Sequence, residues 1–370
     1  MYLDEILRIA NPKQLAAIKH PLAPLMIIAG AGTGKTFTLE NRIIYMIQQY
    51  GLKPDSILTI TYTEKAAKEL KSRLHEKIGQ KVHPMFVGTF HSFCYKLMKE
   101  YQINNADSSS LIDQSEAVHM ILENYDDFMP FMSEEFSINP KISVVESFIP
   151  FFNRLRDELV DIDKVDRSIL KEFYEDDVES LDQLNDLLRI FPIYQNLKKE
   201  NNLIDYNDMI MDTFYALKND TRLLEKVQLK YEHLVIDEFQ DNNYSLNEIS
   251  RLISKKNRSI TVVGDDDQVI YSFRGANAFN ISTFEKTYKS HPNYEMITLE
   301  TNYRSSQPIL DLANHSIKHN KERKVKSLVS AGKNIEIKPI IFKGEKPEQI
   351  EFIANEIIKL NKEFSYADMA

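Results

Sequence analysis

The stretch Pro24-Leu25-Met26-Ile27-Ile28-Ala29-Gly30-Ala31-Gly32-Thr33-Gly34-Lys35-Thr36 decides the fold of this chain. Its first half is a short, unbroken apolar run, the pattern of a strand buried on both faces. A turn of small residues follows, and a helical pattern then runs to about Gln49. Small side chains in such a turn let backbone N–H groups converge on a phosphate, and the positive end of the helix dipole adds to the attraction. The spacing is that of a phosphate-binding loop, in which Lys35 neutralises the β- and γ-phosphates of a nucleotide and Thr36 binds Mg²⁺. Ala29 stands at the first position, where the regular pattern has glycine. Ala29, Gly30, Ala31, Gly32, Thr33, Gly34, Lys35 and Thr36 are therefore the core of a candidate site for ATP and Mg²⁺.

Such a site needs acidic groups at the end of a second buried strand, and Leu234-Val235-Ile236-Asp237-Glu238 supplies them. Asp237 is the expected metal ligand, and Glu238 is placed to polarise an attacking water. Further strand patterns at 56–62 and 259–263 alternate with helical ones, which indicates a parallel sheet with right-handed crossovers. From about 96 to 202 the periodicity is helical throughout, with no strand predicted. The economical reading is one α/β domain, residues 1–95 and 203–278, interrupted by a helical insertion at 96–202. A further unit is expected at 279–370, with strands at 295–299 and 335–342 and helices at 305–318 and 347–359.

Composition limits the remaining possibilities. The 370 residues are 43% hydrophobic and 27% charged, ordinary for a globular protein. One cysteine, Cys94, excludes an internal disulfide and a clustered zinc site, and fits a reducing cytoplasm. The chain opens with acidic residues, and no apolar run approaches the ~20 residues of a membrane span. Net charge is −9, but between Asp157 and Arg189 twelve acidic residues meet only four basic ones. The rest of the chain is nearly neutral, which leaves room for a local nucleic-acid face. The acidic stretch itself reads as a solvated helical surface.

What surrounds the two nucleotide motifs specifies the kind of ATPase. Asp237-Glu238-Phe239-Gln240-Asp241, the run from Gly264 to Ala276 (GDDDQVIYSFRGA) and Thr301-Asn302-Tyr303-Arg304-Ser305 resemble the second, third and fourth motifs of the UvrD/Rep/PcrA group of superfamily 1 DNA helicases. Thr61-Tyr62-Thr63-Glu64-Lys65-Ala66-Ala67 and Gly88-Thr89-Phe90-His91-Ser92-Phe93 resemble that group's DNA-contacting motifs. Asn11-Pro12-Lys13-Gln14 resembles its adenine-reading segment, and Asp205-Tyr206-Asn207-Asp208 the segment that closes its helical insertion. The matches run from about residue 11 to 310 in the family's order and spacing. The resemblance implies a RecA-like parallel sheet followed by an incomplete second RecA-like domain.

It also assigns roles. Gln14 would read adenine, although Asn11, Pro12 and Gln14 equally form a capping box. Phe37 and Arg42 join the nucleotide set. Gln240 would sense the γ-phosphate, Tyr303 would stack on the base, and Arg304 would reach the γ-phosphate as a cation. Gln268 and Arg274 would link nucleotide state to DNA. Tyr62, Tyr271 and Phe273 are the stacking platforms for single-stranded DNA or a single/double-strand junction, with Thr61, Thr63, His91 and Ser92 as backbone contacts. The basic helix carrying Lys65, Lys68, Lys71 and Arg73, and the run from Lys318 to Lys326, face either phosphates or solvent.

Two departures are local: relatives often carry a basic residue where Phe37 stands, and many have Trp where Phe273 stands. A larger one is that the family's fifth and sixth motifs, with a second γ-phosphate arginine, are not in these residues. The expectation is thus the motor portion of an ATP-dependent DNA helicase moving 3′ to 5′. By itself this chain is expected to bind Mg·ATP and single-stranded DNA and to hydrolyse slowly, awaiting a C-terminal motor half or partner subunit. A nucleotide-gated DNA-binding module and the motor part of a helicase–nuclease subunit are the alternatives. The pathway served, whether repair, replication or a mobile element, stays open.

Overall fold

Strand β1 (Leu25–Ala29) is the axis of the molecule, and every one of its side chains is buried. In the computed structural model, which describes residues 2–106, 108–269, 279–320, 323–332 and 340–369, nine more strands follow. They are β2 (Ile57–Ile60), β3 (Phe86–Gly88), β4 (Ser110–Ile112), β5 (Leu203–Asp205), β6 (His233–Ile236), β7 (Ile260–Gly264), β8 (Glu295–Leu299), β9 (Thr301–Asn302) and β10 (Val329–Ser330). Six form one sheet in the order β3-β2-β6-β7-β1-β8, with every neighbouring pair parallel. The α/β class and the parallel sheet expected from the sequence are thus present.

Alternation along these strands builds two cores. Met26, Ile28, Leu58, Ile60, Leu234, Ile236, Ile260 and Val262 point to one face. Leu25, Ile27, Ala29, Ile57, Val235, Val263, Ile297 and Leu299 point to the other. Each face is covered by helices, so the strands are apolar at nearly every position. Because all six strands run the same way, the loops leaving β1, β2, β3, β6 and β7 emerge at one edge, where ligands of such sheets bind.

Two expectations need correction. The strand at 295–299, assigned to the second unit, pairs along its whole length with β1 and completes the first sheet. Its apolar face, with Ile297 and Leu299, matches β1 better than solvent would. The region 96–202 also is not purely helical: β4 pairs with β5 in a short parallel ladder that ties the start of the insertion to its end. Both strands are only three residues long, too short for periodicity to reveal. The strand expected at 335–342 lies mostly outside the described residues.

The insertion has a core of its own, in which Phe128, Phe148, Phe152 and Tyr194 are almost fully buried. Tyr194 stacks on Phe152 at 5.1 Å between ring centres. Most of the acidic stretch is exposed, as expected, but Asp186 is not. Buried beneath the surface, it accepts from the backbone N–H groups of Met132 and Ser133 at 2.8 and 3.0 Å.

Candidate nucleotide-binding site

The turn after β1 is held closed from inside. Thr33, fully buried, donates its hydroxyl to the Gly30 carbonyl at 2.7 Å. Gly32 has φ +74°, and a Cβ there would lie 2.7 Å from Cβ of Arg304 and 2.8 Å from the Asn302 amide nitrogen. Only glycine admits that approach. The same contact shows how the fourth motif reaches the loop: Asn302 Nδ2 donates to the Ala31 carbonyl at 2.7 Å, and the Tyr303 N–H to the Gly32 carbonyl at 2.8 Å.

Lys35 opens the helix Lys35–Gln49, and its Nζ donates to both carboxylate oxygens of Glu238 at 2.9 Å. Glu238 follows β6 with φ +50°, a left-handed conformation uncommon for a non-glycine residue, and one that turns its carboxylate towards Lys35. Gln240 binds the other way: its Nε2 donates to Glu238 Oε2 at 2.9 Å while its Oε1 accepts from the Asp265 N–H at 3.0 Å. A Cβ on Gly264 would come within 2.6 Å of that Oε1, so glycine at the end of β7 permits the link.

Burial, and then the charge of Glu238, push the Asp237 carboxyl up to about 6, and the same two causes raise Asp241 to about 6. Oδ1 of Asp241 is buried without a hydrogen-bond partner among the described residues. A carboxylate pair held against its own repulsion, with an orphaned oxygen beside it, is a site short of positive charge. The available donors, Asp237, Asp241 and the exposed Thr36 hydroxyl, are all hard oxygens of the kind Mg²⁺ takes.

Beside the loop lies a pocket of about 460 Å³ lined by Ile9, Gln14, Gly32, Gly34, Phe37, Tyr303 and Arg304. Gln14 is at its wall but committed inward. Its Oε1 accepts from the Asn11 N–H at 3.1 Å, completing the capping box of the helix Pro12–Lys19, and its Nε2 donates to the Thr33 carbonyl at 3.1 Å. Asn11 in turn donates to the Tyr303 hydroxyl at 2.9 Å. Phe37 and Tyr303 leave aromatic surface for a base.

Arg42 is a correction. It is 0% exposed, and its guanidinium donates to the carbonyls of Ala17, His20 and Pro21 and to the Thr261 hydroxyl. Two turns beyond Lys35 the helix face has rotated into the core, so this arginine ties its own helix to the helix Pro12–Lys19 and to β7 of the sheet. Burial lowers its pKa to about 9.

The nucleic-acid candidates divide. Thr63 caps the helix Glu64–Ile78 by accepting from the Ala66 N–H at 3.1 Å. Buried Thr61 donates to the Thr63 carbonyl at 3.0 Å. Ser92 completes a capping box with Thr89. These hydroxyls shape the loops after β2 and β3. Tyr62 and His91 stand half-buried there. Burial lowers the pKa of His91, which disfavours a charged ring. Tyr271, Phe273 and Arg274 lie outside the described residues, and Gln268, just before them, donates to Asp265. Lys65, Lys68 and Lys71 are exposed, and Arg73 pairs with Glu69.

Sequence reasoning missed Tyr206. It is 51% exposed and meets the His91 ring edge-on at 6.0 Å. Its neighbours hold it there: Asp205 and Asp208 are buried and bonded by Arg156 and Lys198, with Arg156 Nη1 2.7 Å from both Asp205 oxygens. The signal was available, since an aromatic between two capping aspartates cannot follow them into the charge network.

The run 318–326 is corrected in part: Arg323 binds Asp267, Lys324 binds Glu285 and Lys326 binds Asp265, Asp266 and Asp267, so these three face the chain's own carboxylates, whereas Lys318 is exposed.

Comparison with known proteins adds independent findings. Residues 10–289 match the family model of the UvrD/REP helicase N-terminal domain, and residues 297–370 match that of the UvrD-like helicase C-terminal domain. A protein named ATP-dependent DNA helicase PcrA from Staphylococcus aureus (strain Mu50 / ATCC 700699) is 32% identical over 375 aligned residues, covering 100% of this chain and 48% of the relative. The protein of the same name from Staphylococcus epidermidis (strain ATCC 12228 / FDA PCI 1200) is 30% identical over 371, again covering 100% and 48%. The chain therefore spans about half the length of these curated relatives. Among the described residues no helix is long and apolar enough to cross a membrane.

Proposed function

The chain belongs to the UvrD/REP helicase family, and we propose that it is the ATP-binding portion of a cytoplasmic DNA helicase motor that moves 3′ to 5′ on single-stranded DNA. One observation carries the reading: Lys35 Nζ lies 2.9 Å from Glu238, while the Tyr303 N–H binds the Gly32 carbonyl at 2.8 Å, gathering two distant segments around the phosphate loop.

Thr36 and Asp237 would hold Mg²⁺, which when bound neutralises the phosphate oxygens. Lys35 leaves Glu238 for the β- and γ-phosphates, and the freed Glu238 carboxylate accepts a proton from the attacking water. Gln240 spans Glu238 and the Asp265 backbone, so it is placed to report on the γ-phosphate. Tyr303 and Phe37 enclose the base, Gln14 shapes the wall beside it, and Arg304 supplies charge to the transferred phosphate. Arg42 serves the fold instead. Residues 1–95 and 203–278 make the motor domain, with β8 added to its sheet; 96–202 are the helical insertion, and 279–370 begin a second motor unit. Tyr62, His91 and Tyr206 form the DNA face, and Tyr271, Phe273 and Arg274, outside the described residues, are the further candidates for it. DNA repair is a process such a motor fits.

Titration of the purified chain with a fluorescent Mg·ATP analogue and with a labelled oligothymidylate tests this. Both should bind, and Arg304 should support ATP turnover, since an arginine supplied to the transferred phosphate contributes roughly 10³–10⁵ in rate in other P-loop enzymes. Absence of nucleotide binding would overturn the reading.

A further inference from the structure

Beyond the nucleotide pocket, the third motif carries a second charge cluster that the steps above do not use. Asp265, Asp266 and Asp267 leave β7 with one oxygen of each within 4.8 Å of the others. Lys326 Nζ stands among them at 2.8, 2.6 and 2.6 Å. Arg323 grips Asp267 through two bonds of 2.7 Å, and the Lys324 N–H donates to Asp266. Lys326 is only 6% exposed. An ammonium offers three donors, and here it meets three carboxylates. Burial works against its charge, but the carboxylates outweigh it and raise its pKa.

The position of this cluster in the fold matters more than its strength. On one side, the Asp265 N–H reaches Gln240, which reaches Glu238 and so Lys35, and the Asp265 carboxylate accepts from Gln268 Nε2. On the other, Leu328 packs against Gly30, and β10 pairs with β9, whose Asn302 binds the Ala31 carbonyl. The bonds thus leave the phosphate loop through Lys35, cross the third motif, and return to it through the segment that carries Lys326.

We propose that Lys326, assisted by Arg323, is a positioning residue: it fixes the 265–268 turn, and with it Gln268, against the phosphate loop, so that nucleotide occupancy is transmitted to the DNA face. The proposal rests on the ATP-and-DNA reading above.

The test uses the whole chain and measures affinity for a fluorescent, non-hydrolysable Mg·ATP analogue with and without an oligothymidylate. In the wild type the oligonucleotide should change nucleotide affinity at least about fivefold, the lower end of ordinary coupling. Lys326→Met alone leaves Asp265 and Asp266 without their cation and is expected to fold poorly, so Asp266→Asn/Lys326→Met is the informative variant, since it keeps the cluster's net charge and removes the tether. Its circular dichroism should match the wild type, its affinity without DNA should stay within about twofold, and its DNA effect should fall to less than about 1.5-fold. Lys326→Arg should recover part of the effect, and Arg323→Gln should lose part. A double variant that keeps full coupling, or a wild type that binds both ligands without coupling, overturns the proposal. A wild type that binds neither ligand instead refutes the underlying reading.

Discussion

At the end of β6, Asp237, Glu238 and Asp241 face one ammonium, Lys35; at the end of β7, the next strand in the sheet, Asp265, Asp266 and Asp267 face Lys326 and Arg323. The first cluster is under-neutralised. Asp237 and Asp241 are both raised to about 6, and an oxygen of Asp241 has no hydrogen-bond partner among the described residues. In the second, burial is outweighed by Arg323 and Lys326, and Asp267 lies below its ordinary range. Acidic residues at strand ends therefore do two jobs. Where internal cations are too few, the carboxylates suit an incoming cation; where cations suffice, they fasten one segment to another.

The contrast predicts crossed phenotypes. Lys326→Met should cost the fold about 3–5 kcal/mol, as removing one partner of a buried ion pair does, measured by denaturant unfolding. If stability is unchanged, the second cluster is not a fastener. Lys35→Ala should cost the fold less, since its pair with Glu238 is partly exposed, while weakening Mg·ATP binding about 100-fold or more, near 3 kcal/mol by titration calorimetry. A variant that binds normally would remove Lys35 from the site.

Acidity separates the clusters further. A proton on Asp237 competes with Mg²⁺, so Mg·ATP affinity should fall as pH drops through about 6, by roughly fourfold between pH 7.5 and 5.5. For the empty fold the same shift acts in the opposite direction: a carboxyl raised in the folded state binds more protons there than when unfolded, so lowering pH from about 7 towards 4 favours folding through this group. His20 opposes that gain. Burial, then Arg42, hold its pKa down at about 4, so its contribution to stability is present above the unfolded value near 6.5 and is lost as pH falls towards 4. An affinity flat across this range would contradict the role given to Asp237.

The smallest effect is the finest discriminator. Asp241→Asn should stabilise the empty protein by a few tenths of a kcal/mol, since the group is partly exposed and its repulsion from Glu238 is screened. Asp267→Asn should destabilise it, because Arg323 loses a charged partner. Equal signs in thermal melts would erase the distinction between the two clusters.

Much of this was legible in the residues. The apolar run 25–29 and its glycine turn announced a buried parallel strand and a phosphate loop, because continuous apolarity and small side chains serve little else in that order. Asp237-Glu238 and Tyr303-Arg304 were readable as partners of that loop. Other features were not. Arg42 looked like a ligand contact because charge in sequence does not reveal which side of a helix is buried. Tyr206 was passed over although the capping aspartates on either side of it were readable; only the contact of its ring with His91 needed the structure. The pairing of strand 295–299 with β1 was not legible, since periodicity shows that a strand exists and not which edge it joins.

The sequence by itself determined the element types, the glycine positions and the chemical groups a nucleotide site requires, all of which depend on local sterics and side-chain chemistry. Only the tertiary structure decided which carboxylates keep a cation of their own and which are left wanting one. That outcome depends on distances between residues far apart in the chain, such as Asp265 and Lys326, and electrostatic energy follows separation in space rather than separation along the backbone.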